Sequence, residues 1–285
     1  MNYKPLPLML ASGAIYTDLP AFVMSIVNCT PDSFWAGSRS VDAVFSIEKA
    51  LEHEKEGTHI IDLGAESSRP GSEYVSAQEE IDRLVPVIEG IRKYSSIPIS
   101  VDTRKSSVLQ AALHAGADIL NDISALEDDD QIGPAAAAAG IPVILMHKRG
   151  NPGNMQKNTV YADVLGEVNS YLKQRCRYAL SCGIKPEKII LDPGIGFGKD
   201  LQANKILIQH CASFSNAADP EQPNHVLIAL SRKTCIGEIT GRSVEQRLSG
   251  TICANLLAVQ KGATIVRVHD TAETIDMLKV LRGLG

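Results

Sequence analysis

Short apolar runs recur eight times along the chain, each with a polar or charged residue at or near its C-terminal end. They occupy residues 23–28 (VMSIVN), 59–64 (HIIDLG), 97–102 (IPISVD), 118–122 (DILND), 142–147 (PVILMH), 189–192 (IILD), 226–231 (VLIALS) and 265–270 (IVRVHD). Runs this short, rich in Ile and Val and without strict alternation, fit strands covered on both faces, as in a parallel sheet. The segments between them change period. In residues 79–93 (EEIDRLVPVIEGIRK), Ile81, Leu84, Val85, Ile88 and Ile91 fall on one helical stripe, and residues 164–179 and 271–281 behave likewise. Eight strands in 285 residues make a repeat of about 36 residues, the length of a strand–helix unit. The pattern predicts an α/β protein built as a closed (β/α)8 barrel, a single domain over residues 21–285 behind an N-terminal extension of residues 1–20. A doubly wound open sheet is the alternative that the pattern leaves open.

Composition narrows the kind of partner. A chain that is 44% hydrophobic and 21% charged can bury a sizeable core. It has 28 Lys plus Arg against 33 Asp plus Glu, a net charge of -5, and only 5% aromatic residues. A general nucleic-acid binder needs a basic surface, and rings help it to stack bases; this chain is short of both. Cys29, Cys176, Cys182, Cys211, Cys235 and Cys253 form no C-x-x-C pair and read as the reduced thiols of a cytoplasmic protein. Residues 6–16 (LPLMLASGAIY) imitate a secretion signal, but only Lys4 precedes them and Pro7 interrupts the run. No apolar run approaches the ~20 residues needed to span a bilayer, so no membrane partner is expected.

In a closed barrel every strand ends at one mouth, where barrel enzymes keep their chemistry. The residues expected there are Asn28, Asp62, Asp102, Asn121, His147, Asp192, Ser231 and His269, with Lys233 just beyond the seventh strand and Arg267 inside the eighth. Arg267 and His269 are two apart, so they share a face. Burying three carboxylates with two cations is costly unless they pair or hold a ligand. One strand-end Asp is an ordinary helix cap, whereas eight polar strand ends in register mark a site. Arg69, in the loop ESSRPG after the second strand, adds to Lys233, Arg267 and His269 a further group suited to phosphate.

Familiar motifs fail at the level of single residues. Residues 192–199 (DPGIGFGK) have Pro193 where a phosphate loop needs Gly and Asp200 where it needs Ser or Thr, and the spacing G-x-G-x-G is not that of a dinucleotide fingerprint. Such a segment reads either as a backbone that turns tightly against a flat ligand or as an ordinary flexible loop. His53-Glu54 has no second His for a zinc helix, since Gly57 stands there, and Ser231 has no nucleophile elbow. After the first strand comes NCTPDSFW, with the chain's one Trp; beside Asn28, Phe34 and Trp35 suggest a mobile lid. Without further information, a phosphate-binding lyase or isomerase would be the natural reading, with His147 as its one candidate base.

The ordered set of segments resembles the dihydropteroate synthase family, pterin-binding barrels inhibited by sulfonamides. The segments are NCTPDSF from Asn28, IIDLGAESSRPG from Ile60, SVDT from Ser100, ILNDI from Ile119, LMHKRGNPGNMQ from Leu145, LDPGIGFGK from Leu191, ALSRK from Ala229, RLSGT from Arg247 and RVHD from Arg267. The resemblance implies a (β/α)8 barrel, usually a homodimer, acting with Mg2+. It implies condensation of 6-hydroxymethyl-7,8-dihydropterin pyrophosphate with 4-aminobenzoate to give dihydropteroate and pyrophosphate, by dissociative substitution.

Carried over position by position, the resemblance makes Asp102, Asp192, Lys233 and Arg267 catalytic. Asp102, Asn121, Asp192, Phe197, Lys233 and Arg267 would bind the pterin. Asn28, Arg69, Arg267 and His269 would meet the pyrophosphate, with Asn28 also contacting the metal. Phe34, Ser68, Arg69, Pro70, Ser231 and Lys233 would shape the 4-aminobenzoate site. The chain departs from the family pattern at Trp35-Ala36-Gly37-Ser38, where Ser-Asp-Gly-Gly-like residues are usual, at Ser68, where Thr is usual, and at Lys148-Arg149. These departures touch the lid and the 4-aminobenzoate side, not the pterin pocket. A corrinoid methyltransferase-like barrel would keep the acidic pterin contacts without the SRK and RVHD cations, and a non-catalytic pterin binder would have lost Asn28, Arg69 or His269.

Overall fold

A computed structural model describes residues 5–29, 39–66, 74–150, 159–219 and 221–285. Two short strands come first, β1 (Leu8–Leu10) and β2 (Gly13–Ile15). The next eight are β3 (Phe22–Asn28), β4 (Ile60–Gly64), β5 (Ile99–Asp102), β6 (Ile119–Asp122), β7 (Val143–Met146), β8 (Ile189–Asp192), β9 (His225–Ala229) and β10 (Ile265–Val268). They form a closed barrel in chain order, each parallel to the next, with β10 returning to β3. These are the eight apolar runs, and the closed ring excludes the open sheet.

Helices fill the returns: α1 (Arg39–Glu56), α2 (Ala77–Arg92), α3 (Ser106–Ala115), α4 (Ile132–Ala139), α5 (Val164–Ser181), α6 (Leu201–Gln209), α7 (Thr234–Thr240), α8 (Leu248–Gln260) and α9 (Thr271–Leu284). Local signals start them. The Ser76 hydroxyl accepts from the Glu79 N–H while Glu79 reaches back to the Ser76 N–H, a capping box that opens α2. Asp163 and Asp200 are simple N-caps of α5 and α6, each with its carboxylate on a first-turn N–H. One detail of the predicted α2 stripe differs: Leu84, Val87, Ile88 and Ile91 are buried, so Val87 takes the place expected for Val85. Positions i, i+3, i+4 and i+7 share a face, and Val85 lies to its side. The face packs tightly on α1, because a Cβ on Gly90 would overlap the Ile47 side chain.

Strand parity decides which residues enter the barrel. Phe22, Met24, Ile60, Ile119, Ile144, Ile190, Leu227 and Ile265 fill its lower interior, while Ile61, Leu63, Ile99 and Val101 face the helices. Side chains two apart share a side, so Asp62, Ser100, Asp102, Asn121, Met146, Asp192 and Arg267 point inward in the layers above. The extension supplies the floor. Leu8 and Leu10 of the β1–β2 hairpin are buried with the lower interior residues, and the Phe22 ring meets His59 and His225 edge-on at 5.3 and 5.7 Å. The apolar stretch that imitates a secretion signal is therefore spent on closing the barrel's base. Burial of side chains of this size is worth about 1.5–3 kcal/mol each.

Candidate active site

Four strands bring the ionic centre together. Asp62 of β4 is fully buried, and its Oδ2 accepts from Arg267 Nε at 2.7 Å and lies 2.6 Å from Nη2. The same Nη2 reaches Asp102 Oδ2 of β5 at 3.0 Å. Asn121 of β6 donates to both Asp62 oxygens at 3.3 Å. One guanidinium thus spans two carboxylates, a use of its planar fork that an ammonium could not match. Burial would weaken the charge on Arg267, but Asp62 and Asp102 outweigh it and hold the group cationic. Burial pushes Asp102 up to about 7, with Arg267 opposing and Asp62 adding to the rise.

Across the mouth, Asp192 ends β8 and Lys233 stands immediately before α7. Asp192 Oδ1 accepts the Gly194 N–H at 2.7 Å. Burial raises its pKa, opposed by Lys233 and by that N–H. Lys233 Nζ donates to the Ile195 carbonyl at 2.5 Å and lies 4.8 Å from the Phe197 ring centroid. Burial draws Lys233 down to about 8, with Asp192 supporting its charge. The turn that aims Lys233 is strained: Arg232 has φ +56. Three groups hold it. Asp270 accepts from Arg232 Nε and Nη2 at 3.1 and 2.5 Å, Thr251 Oγ1 accepts its N–H at 3.0 Å, and Arg247 Nη1 donates to its carbonyl at 3.0 Å. The RLSGT segment therefore serves the SRK segment. On the same rim, Ser231 Oγ accepts the His269 N–H at 3.2 Å and lies 2.9 Å from His269 Nδ1.

Most of the expected site residues described here meet at this mouth: Asp102, Asn121, Asp192, Phe197, Lys233, Arg267, Ser231 and His269, with Asn28 exposed at the end of β3. Phe34, Ser68, Arg69 and Pro70, and with them Trp35, lie outside the described residues. His147 is a correction. Met146 takes the inward position on β7, and His147 is buried behind it, edge-on to Tyr171 of α5 at 4.9 Å. Burial, with Lys199 and Arg149 nearby, drives His147 down to about 3, so it is neutral and faces away from any substrate. The final polar residue of that run lies one step past the inward position.

A family model described as "Pterin binding enzyme" matches residues 24–269. The chain belongs to the pterin-binding enzyme family. It is 45% identical over 261 residues to the dihydropteroate synthase of Haemophilus influenzae, covering 90% of this chain and 92% of that one. Among solved structures it is similar to Xanthomonas albilineans dihydropteroate synthase with 4-aminobenzoic acid, with TM-score 0.88, 38% identity and 98% of both chains covered. The same Xanthomonas enzyme in complex with 7,8-dihydropteroate superposes with TM-score 0.84 at 37% identity, again over 98% of both chains. Within this pterin-binding barrel, two residues carry more than the sequence reading gave them. Asp62 stood among the strand ends without a role, although an acid inside the run HIIDLG at an inward position was a visible sign. Lys199 fits the lysine position of a phosphate loop, but Pro193 and Asp200 break that pattern and leave the lysine without a role in the sequence.

Proposed function

We infer that the protein is a dihydropteroate synthase, condensing 6-hydroxymethyl-7,8-dihydropterin pyrophosphate with 4-aminobenzoate. The observation that carries this reading is the Arg267 guanidinium shared by Asp62 and Asp102 opposite the Asp192–Lys233 pair, in a chain of the pterin-binding family. A pterin edge offers adjacent N–H donors, which one carboxylate accepts side by side. Asp192 keeps one oxygen on Gly194 and turns the carboxylate to the ligand, while Asn121 and Lys233 meet the remaining ring heteroatoms and Phe197 lines the pocket.

In the reaction the bond between the pterin methylene carbon and the bridging pyrophosphate oxygen breaks, and both electrons leave with pyrophosphate. Arg267 and His269, with Arg69, oppose the growing negative charge, which is the largest barrier contribution a site of this type supplies. Asp102 and Asp192 stabilise the positive charge left on the pterin methylene. The amine nitrogen of 4-aminobenzoate then forms the new C–N bond and gives up a proton. Ser231, on the rim beside His269, belongs to the side that receives the 4-aminobenzoate, a role the resemblance also gives to Phe34, Ser68 and Pro70. No protein nucleophile enters, and the Ser231 hydroxyl is engaged by His269.

Mg2+ belongs to the same reading. Asn28 is exposed at the end of β3 and carries an amide oxygen, a hard donor. A single such donor is compatible with Mg2+, an ion held mostly by phosphate oxygens and water. Bound there, it would neutralise charge on the leaving group. A homodimer in the cytoplasm completes the proposal. Ile239, Leu257 and Val280 stand exposed on α7, α8 and α9, all six cysteines are free, and no helix among the described residues is long and apolar enough to cross a membrane. The deciding experiment is pyrophosphate release from the dihydropterin pyrophosphate. Sustained release over many turnovers should require both Mg2+ and 4-aminobenzoate, and turnover indifferent to 4-aminobenzoate would overturn the synthase reading.

A further inference from the structure

Lys199 ends the DPGIGFGK run just before α6, and the reaction above makes no use of it. Its side chain is 3% exposed. Nζ lies 2.9 Å from His147 Nδ1 and 3.3 Å from the His147 carbonyl, on the loop leaving β7. It also donates to the carbonyls of Gly194 at 2.8 Å and Phe197 at 3.1 Å, on the loop leaving β8. None of these acceptors is a carboxylate. Burial draws Lys199 down to about 7, with Asp192 supporting its charge, so near neutral pH the amine is kept there by its hydrogen bonds and not by an ion pair. Rotatable N–H donors suit acceptors arranged around a point better than a planar fork would.

The two loops that Lys199 joins cross backbone to backbone. At Gly194 (φ +69) a Cβ would overlap the His147 carbonyl oxygen, and at Gly198 (φ +67) it would lie 2.6 Å from the Arg149 carbonyl oxygen. No side chain can fill that crossing, so the lysine reaches in from its end. The held segment supplies the contacts of both pocket residues on this side. Gly194 donates to Asp192, Ile195 accepts from Lys233, and the Phe197 ring lies beside the Lys233 ammonium. Each of these three is, or adjoins, a residue whose carbonyl Lys199 grips.

We propose that Lys199 is a positioning residue for the pterin side of the reaction, clasping the 194–197 loop to the end of β7 so that Asp192 and Lys233 are presented to the ligand. The role rests on the synthase reading, and it predicts a loss confined to pterin recognition. Lys199→Met keeps the stem and removes every donor. It should weaken binding of 6-hydroxymethylpterin, measured by calorimetry, by at least ~10-fold, as expected for the loss of several buried hydrogen bonds. The KM for the dihydropterin pyrophosphate should rise with it, and Lys199→Gln, which retains two N–H donors, should recover part of the loss.

A double variant separates positioning from general support of the fold. If Lys199 acts through Lys233, adding Lys199→Met to Lys233→Met weakens pterin binding little further, whereas independent effects multiply. Wild-type binding by Lys199→Met, or multiplying effects in the pair, would overturn the role. Should Lys199→Met fail to fold, Lys199→Gln carries the same comparison, and its equality with wild type would be equally fatal. A wild-type protein that binds 6-hydroxymethylpterin but forms no dihydropteroate would sink the synthase reading while leaving the clasp to be judged by binding alone.

Discussion

At the scale of residues, the site is a set of charges held away from water. Arg267 is fixed by two carboxylates before any substrate arrives, so its charge is already aimed where the leaving group departs. Preorganised charge of this kind is costly to lose. Arg267→Ala and Lys233→Ala should each lower kcat/KM by at least ~100-fold, measured by dihydropteroate formation, and near-normal kinetics would refute the assigned role. The pH dependence follows from the shifted groups. Asp102, raised to about 7, is neutral on the acid side and gains its charge as the pH rises. Lys233, lowered to about 8, is charged below that value and neutral above it. Activity that needs both charges should rise through about 7 and fall through about 8, a bell with a narrow top. Asp102→Asn should remove the acid limb from whatever activity remains; an acid limb unchanged in that variant would assign it to another group.

At the scale of elements, the loops are built around conformations that only their partners permit. After β6, Ala125 and Leu126 have φ +51 and +67, a region that side chains with a Cβ avoid. Asp122 accepts the Leu126 N–H at 2.8 Å, and Arg175 of α5 donates to the carbonyls of Ala125 and Leu126 at 2.7 and 3.0 Å. A helix nearly fifty residues away thereby sets the loop that follows Asn121. Arg175→Met would leave two buried carbonyls without those donors, at about 1–3 kcal/mol apiece, so the urea midpoint should fall clearly. An unchanged midpoint would mean that the carbonyls find other donors. The Arg232 turn follows the same logic with Asp270, Thr251 and Arg247.

At the scale of the molecule, the two ends of the barrel have different work. The mouth gathers polar strand ends, and the floor is closed by Leu8 and Leu10 over Phe22 and its neighbours. Changes at the floor should therefore reach stability without reaching chemistry. Leu8 is completely buried, so Leu8→Ala should cost about 2–5 kcal/mol in unfolding free energy while the folded enzyme keeps its kcat. A parallel fall in kcat under conditions where the variant is fully folded would show that floor and mouth are coupled.

Much of this was legible locally. Apolar runs, their polar ends and the helical stripes between them depend on residues within a few positions of one another, so the eight strands and their order could be read directly. The same holds for the polar mouth, because strand parity is a period of two. What the chain alone could not decide were partners far apart along it. Arg267 meets Asp62 and Asp102 across 205 and 165 residues, and nothing in the run IVRVHD says which of the acids it will share. His147 looked like a mouth residue until the β7 register put Met146 inward, and residues 6–16 carried the apolar character of a floor hairpin without its location. Lys199 is the sharpest case. Its sequence context is a failed phosphate loop, and only the crossing of the glycine-rich loop after β8 with the backbone after β7 reveals the amine that fastens them.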